Sequence, residues 1–211
     1  MEHYYTDRPQ AVSRPREVHA TLRGRSWTFL TDRGVFGHRG VDAGTRLLIE
    51  AMVVRPDDDV LDLGCGYGPV GMVAATMAPR GRVVMVDINE RAVALAAENA
   101  RRNGLANVEV LHGDGCAPVS GRRFDLVVTN PPIRAGRAAL VRLFQDARDH
   151  LNEGGRLYFV ARTAQGAKTL AREVAGIFGD LQEMKKGGGF RVYQAVKAGP
   201  GTGDQRPEPE Q

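Results

Sequence analysis

Apolar residues along this chain fall into two patterns that alternate. Residues 60–63, 82–87, 108–112, 124–129 and 156–161 are short runs rich in Val and Leu, the pattern of strands buried on both faces. Between them, residues 70–78, 89–103, 138–151 and 167–178 carry apolar or Ala-rich positions at helical spacing, and Gly104 stops the second of these helices. Gly154-Gly155 turns the chain into the fifth of those strands, and residues 180–185 and 190–197 read as two closing strands. Strands that alternate with helices predict a mainly parallel sheet covered on both faces.

Upstream the pattern differs. Residues 17–23 alternate in the manner of a strand, Gly24-Arg25 marks a turn, and residues 26–31 return, which predicts a small N-terminal hairpin. Gly34, Gly37, Gly40 and Gly44 then sit among charged residues ahead of the helically spaced Leu47, Leu48, Ala51 and Met52. This is a glycine-hinged loop leading into a helix; it is either a plain connection or a lid over a ligand crevice.

Composition narrows the class. A chain of 211 residues with 42% hydrophobic and 26% charged residues suits one globular α/β domain. No apolar run approaches the roughly 20 residues of a membrane span, and Met1 to Tyr5 lack a signal-peptide core, so a cytoplasmic protein is expected. Cys65 and Cys116 make no disulfide framework, and the five histidines show no metal-ligand spacing, so no metal is expected. The net charge is +4, carried almost wholly by arginine, which is compatible with a nucleic-acid partner. Residues 199–211 are rich in Gly, Pro and acids and predict a disordered tail, residues 1–16 predict a flexible N-terminus, and 17–198 form the expected domain.

The chemistry collects at strand ends. After residue 63 the chain turns through Gly64-Cys65-Gly66-Tyr67-Gly68, where glycines allow a ligand to lie on the backbone. Gly66, Gly68 and Gly71 also satisfy G-x-G-x-x-G, which keeps a dinucleotide site open. Asp87 ends the second strand, where an acid can accept from both hydroxyls of a ribose, or alternatively cap the next helix. Asp114, at the end of the third strand, can accept from an adenine amine or simply serve a turn. Asn130-Pro131-Pro132-Ile133 follows the fourth strand. Two prolines stop the sheet and hold Asn130 with an acceptor oxygen in the crevice, where it and a backbone carbonyl can take both protons of a planar NH2 group. That directs the nitrogen lone pair at an electrophile without general-base catalysis. A nicotinamide dehydrogenase would account for the glycines and Asp87 but not for this tetrapeptide.

Taken together, Gly64 to Gly68, Asp87, Asp114 and Asn130-Pro131-Pro132-Ile133 resemble the class I S-adenosylmethionine-dependent methyltransferases that act on planar amines or amides. Gly34-Val35-Phe36 followed by Asp42-Ala43-Gly44-Thr45 resembles, more narrowly, the ribosomal RNA small-subunit methyltransferase C family, which acts on guanine N2. The resemblance spans roughly residues 20–197. It implies a Rossmann-like seven-stranded sheet of order 3-2-1-4-5-7-6 with the last strand antiparallel, and a single-domain form of that family. It implies S-adenosyl-L-methionine held by Asp62, Gly64, Cys65, Gly66, Gly68, Asp87, Ile88, Asp114, Gly115 and Asn130. It implies catalysis at Asn130, Pro131, Pro132 and Ile133, with Phe36, Arg134 and Arg137 toward the substrate, and ribosomal RNA or a ribosomal subunit as partner. Ile133 departs from the aromatic residue often found there. A protein glutamine N5-methyltransferase, an adenine N6-methyltransferase and a non-catalytic ribosome-binding module are the other readings.

Overall fold

The computed structural model describes residues 11–199. The flexible N-terminus and the disordered tail expected from composition fall largely outside that range. Two strands, β1 (Arg16–Leu22) and β2 (Arg25–Thr31), pair antiparallel as the expected hairpin. The turn is Arg23-Gly24, one residue earlier than expected, with φ of 46° and 75°. Two consecutive positive φ values match the twist of a tight hairpin. Arg23 tolerates the left-handed conformation because its guanidinium donates to the carbonyls of Ile49, Glu50 and Met52 at the end of helix α1 (Ala43–Ala51), at 2.8, 3.2 and 2.6 Å. A cation there also complements the helix dipole.

The main sheet has seven strands: β3 (Val60–Leu63), β4 (Val83–Asp87), β5 (Val108–His112), β6 (Phe124–Thr129), β7 (Leu151–Arg162), β8 (Gln182–Gly187) and β9 (Phe190–Val196). Their spatial order is β5-β4-β3-β6-β7-β9-β8, which is 3-2-1-4-5-7-6 when these seven are numbered alone. From β5 to β7 in that order the five strands pair parallel, and β9 runs antiparallel to both neighbours. The fold is that of a class I methyltransferase. β7 begins five residues before the expected start. Leu151 opposes Phe124 and Arg156 opposes Leu126, so the added residues bulge out at Gly154, whose φ is 73°. The amide of Gly154 donates to Lys197 and that of Lys197 to Gly155, which extends pairing with the end of β9.

Alternation along the buried strands divides the core in two. Val60, Leu126, Val128, Tyr158 and Val160 face the hairpin, α1, α2 (Pro69–Met77) and α3 (Glu90–Arg102). Leu61, Leu63, Val127, Leu157 and Phe159 face α4 (Arg137–Asp149) and α5 (Ala167–Phe178). Both faces are covered, as continuous apolar strands require. Asn99 of α3 is buried; its amide accepts from Leu30 N (2.6 Å) and donates to the carbonyls of Leu30 (2.8 Å) and Tyr67 (3.0 Å). One turn on, Asn103 donates to Thr28 O at 3.2 Å. The hairpin is thereby fastened to α3 and to the glycine turn. At the other end of the sheet Arg156 and Asp58 form a buried ion pair, Nη2 to Oδ2 at 2.5 Å, and the same guanidinium donates to Val53 O.

Candidate functional site

The carboxyl ends of β3, β4, β5 and β6 open into one crevice of about 450 Å³, where ligands bind in open α/β sheets. Gly64, Gly66 and Gly68 have φ of 76°, 57° and 98°. A Cβ on Gly64 or Gly66 would meet nothing within 4 Å, so these two positions leave a cradle open toward the crevice. Gly68 differs: it does not line the crevice, and a Cβ there would lie 2.5 Å from Met72 Cε, so it serves the close seating of α2. Gly71 is also a packing glycine, with its amide 2.7 Å from Asp62 Oδ2.

Asp87 accepts from Gly66 N at 2.7 Å through Oδ2 and from Asn89 N at 2.8 Å through Oδ1. It fixes the glycine turn while lining the crevice, and each carboxylate oxygen keeps a lone pair for a ligand. It does not cap the helix; Asn89 does, accepting from Arg91 N and Ala92 N. Asn89 also donates to Gly34 O at 2.8 Å, which ties the glycine-hinged loop to α3. Val35, Phe36, Gly37 and Val41 of that loop form one wall of the crevice, so it is more than a connection. Asp62, Cys65, Ile88, Asp114 and Gly115 line the crevice. Burial pushes the Asp62 carboxyl up to about 7, opposed by the Gly71 amide and aided by the neighbouring Asp87. Burial also raises Asp87, against the amides of Asn89 and Gly66. The Cys65 thiol is raised well above its ordinary value by burial and by these two acids, which leaves it a small packing residue rather than a nucleophile.

Asn130 lines the crevice at the end of β6, and its orientation is determined by residues that sequence reasoning did not assign to the site. Nδ2 of Asn130 donates to Thr45 Oγ1 at 3.0 Å, and Thr45 Oγ1 donates to Asp42 Oδ2. A hydroxyl has one proton, and a carboxylate only accepts. Thr45 can therefore meet Asn130 only as an acceptor, so the NH2 end must face Thr45 and Oδ1 must face away from it. Asp42 is itself fixed as the N-cap of α1, with Oδ1 accepting from Gly44 N at 2.9 Å and Thr45 N at 3.3 Å. The signal was present in Asp42-Ala43-Gly44-Thr45, but its partner lies 85 residues away.

The rest of the tetrapeptide divides. Pro132 lines the crevice; Pro131 is buried. Ile133 does not line it and packs against the α4 and α5 side of the core, as an aliphatic side chain gains by burial. Arg134 sits in the 3-10 turn before α4. Arg137 does not line the crevice: its Nε pairs with Glu173 of α5 at 2.7 Å. Arg142 and Asp146 of α4 line it instead, and no periodicity argument singled them out. Among the described residues, the crevice wall thus presents Asp42, Asp62, Asp87, Asp114 and Asp146 with one cation, Arg142. Such a lining repels the pyrophosphate of a dinucleotide and suits a ligand with cationic centres.

Comparison with known proteins gives the family. Residues 26–194 match the family described as methyltransferase small domain. The Bacillus subtilis protein YbxB, itself uncharacterized, is 36% identical over 198 residues, which is 93% of this chain and 98% of that protein. Ribosomal RNA small subunit methyltransferase C of Pseudomonas entomophila is 33% identical over 168 residues, 78% of this chain and 49% of that protein. The chain thus spans about half the length of that ribosomal RNA relative. The solved T. thermophilus 16S rRNA N2 G1207 methyltransferase, in complex with AdoMet and guanosine, superposes with a TM-score of 0.79 at 29% identity, covering 90% of this chain and 52% of that one. The chain belongs to the methyltransferase small domain family and is an S-adenosylmethionine-dependent class I methyltransferase.

Proposed function

We propose that this enzyme methylates the exocyclic N2 amine of a guanine in ribosomal RNA, acting in the cytoplasm. The observation that carries the reading is the Asp42–Thr45–Asn130 chain, which leaves Asn130 Oδ1 as an acceptor aimed away from Thr45 at the crevice rim. The names of the ribosomal RNA relatives support the substrate class.

The residues fit the cofactor. Gly64 and Gly66 leave room along the backbone, Asp87 keeps lone pairs for ribose hydroxyls, Asp114 lines the crevice as an acceptor for the adenine amine, and Asp62 offers a buried carboxyl to the cationic end. S-adenosylmethionine, when bound, supplies an electrophilic methyl group. Asn130 Oδ1 and a backbone carbonyl of the same turn accept the two amine protons of the target and so direct its lone pair. Pro131 and Pro132 hold that turn rigid. Phe36, 39% exposed at the crevice wall, supplies the aromatic face for the base that Ile133 does not. No general base is needed, because the proton leaves after the displacement. The rate gain lies in positioning and preorganised acceptors.

The test offers labelled S-adenosylmethionine with small subunits, large subunits, free ribosomal RNA and ribosomal proteins, followed by nucleoside and peptide mass spectrometry. N2-methylguanine in small-subunit RNA is expected. Label in methylglutamine or N6-methyladenine would replace the substrate and leave the methyltransferase. Asn130→Ala should keep cofactor affinity and lose at least about 100-fold in turnover, as for an oxyanion-hole donor; full turnover would remove the mechanism.

A further inference from the structure

A second concavity, of about 380 Å³, lies beside the crevice and is lined by Arg14, Pro15, Arg16, Arg33, His38 and Arg39. All four arginines are exposed. Among the described residues none of the four guanidinium groups has an acidic partner. Asp32, the acid beneath them, is buried and already accepts from Ser13 Oγ and from the amides of Arg14 and Arg33, each at 2.6 Å. Burial opposes its charge, but these hydrogen bonds and Arg91 hold its carboxyl below the ordinary value. Asp32 thereby fixes the backbone at Arg14 and Arg33 while leaving their side chains outward. Unpaired arginines gathered in a concave, hydrogen-bonded frame repel one another and are stabilised by an anion.

The same loop separates the two concavities. Val35, Phe36 and Gly37 face the crevice, whereas Arg33, His38 and Arg39 face the arginine pocket. The two sites have opposite polarity: aspartates dominate one and arginines the other. A nucleic-acid backbone is excluded from the first and attracted to the second, while a neutral base can enter the first. We infer that the arginine pocket holds phosphates of the RNA strand next to the target nucleotide, with Phe36 at the divide between backbone and base. This rests on the proposed RNA substrate and adds where its backbone runs. It also moves the phosphate path from Arg137, which is paired with Glu173, to the β1 and β2 side of the crevice.

The experiment measures binding of the full chain to purified small-subunit ribosomal RNA and to a mixed-sequence single-stranded RNA of about 20 nucleotides, across a salt series. Arg33→Glu/Arg39→Glu should weaken binding at least tenfold at 0.1 M salt and make the slope of log K against log salt shallower by about 1.4, two contacts at roughly 0.7 each. Arg14→Glu/Arg16→Glu should do the same, and Arg137→Glu should change binding by less than about threefold. Affinity for S-adenosylmethionine should be unchanged in all three, which separates phosphate contact from misfolding. Wild-type affinity and slope in both arginine-pocket variants would overturn the pocket alone. A wild-type chain that binds neither RNA would overturn both the pocket and the RNA reading.

Discussion

Thr45→Val isolates the orienting role of one hydroxyl. Thr45 is 5% exposed and Val has nearly its shape, so packing is kept while the Asn130 hydrogen bond is lost. Asp42 still accepts the amides of Gly44 and Thr45, so the start of α1 survives. In the wild type a reversed Asn130 amide would set two oxygens against each other, because the only hydroxyl proton is given to Asp42. The wild-type preference is therefore one net hydrogen bond, about 1 kcal/mol, plus the cost of an unsatisfied buried acceptor, about 1–3 kcal/mol. Valine removes both and leaves the amide free to turn. With part of that preference recovered by the bound substrate, the loss in the chemical step should be about 1–2 kcal/mol, or roughly 5–30-fold in kcat. The assay is single-turnover methyl transfer with the substrate found by labelling, alongside KM and affinity for S-adenosylmethionine, which should not move. Thr45→Ser retains the hydroxyl and should restore most of the rate. Wild-type kcat in Thr45→Val, or a serine variant as slow as the valine one, would refute the orienting role.

Two further outcomes follow from the acids of the crevice. Asp87→Ala should weaken S-adenosylmethionine binding by about 1.5–3 kcal/mol in titration calorimetry, since a charged acceptor and the anchor of Gly66 are lost together; unchanged affinity would detach Asp87 from the cofactor. Asp62→Asn keeps an acceptor for the Gly71 amide but removes a carboxyl raised from 3.8 to about 7. Between those two values the native state holds a proton at Asp62 that the unfolded chain has released, so the Asp62 contribution to stability falls as pH rises through the window and is constant on either side of it. The gain in stability of Asp62→Asn should therefore be near zero at pH 4 and grow toward pH 7, to at most roughly 4 kcal/mol in denaturant unfolding. A difference independent of pH would show that Asp62 is not buried as described.

The sheet was legible because its strands are buried on both faces and so carry unbroken apolar runs, and because turn glycines separate them from helices. The crevice was legible for a related reason: Gly64 to Gly68, Asp87 and Asn130-Pro131-Pro132 stand at strand ends, where local rules for turns and caps apply. The misses are long-range. The early start of β7 depends on pairing with Lys197, and the Arg137 pair depends on how α4 meets α5. For Asp87 the sequence left a ribose acceptor and a helix cap both open, and the second falls away because Asn89 takes the cap while the carboxylate holds the glycine turn. Nothing along the chain connects Thr45 with Asn130, 85 residues away, so its role was not legible in the sequence.

The asparagines of α3 have a consequence for how this protein behaves in a crowd. A two-stranded ribbon has two open edges, each a template on which a foreign strand can grow. Along the outer edge of β2, Leu30 presents its N–H and C=O and Thr28 its C=O, and Asn99 and Asn103 meet these groups in place of a third strand. The match is geometric: four helical residues advance about 6 Å and two strand residues about 6.8 Å. A helix with amides at i and i+4 can therefore imitate a strand for two rungs. At Thr28 and Leu30 the ribbon is met on that side by side chains alone, which disfavours strand addition at those two rungs at no cost in chain length.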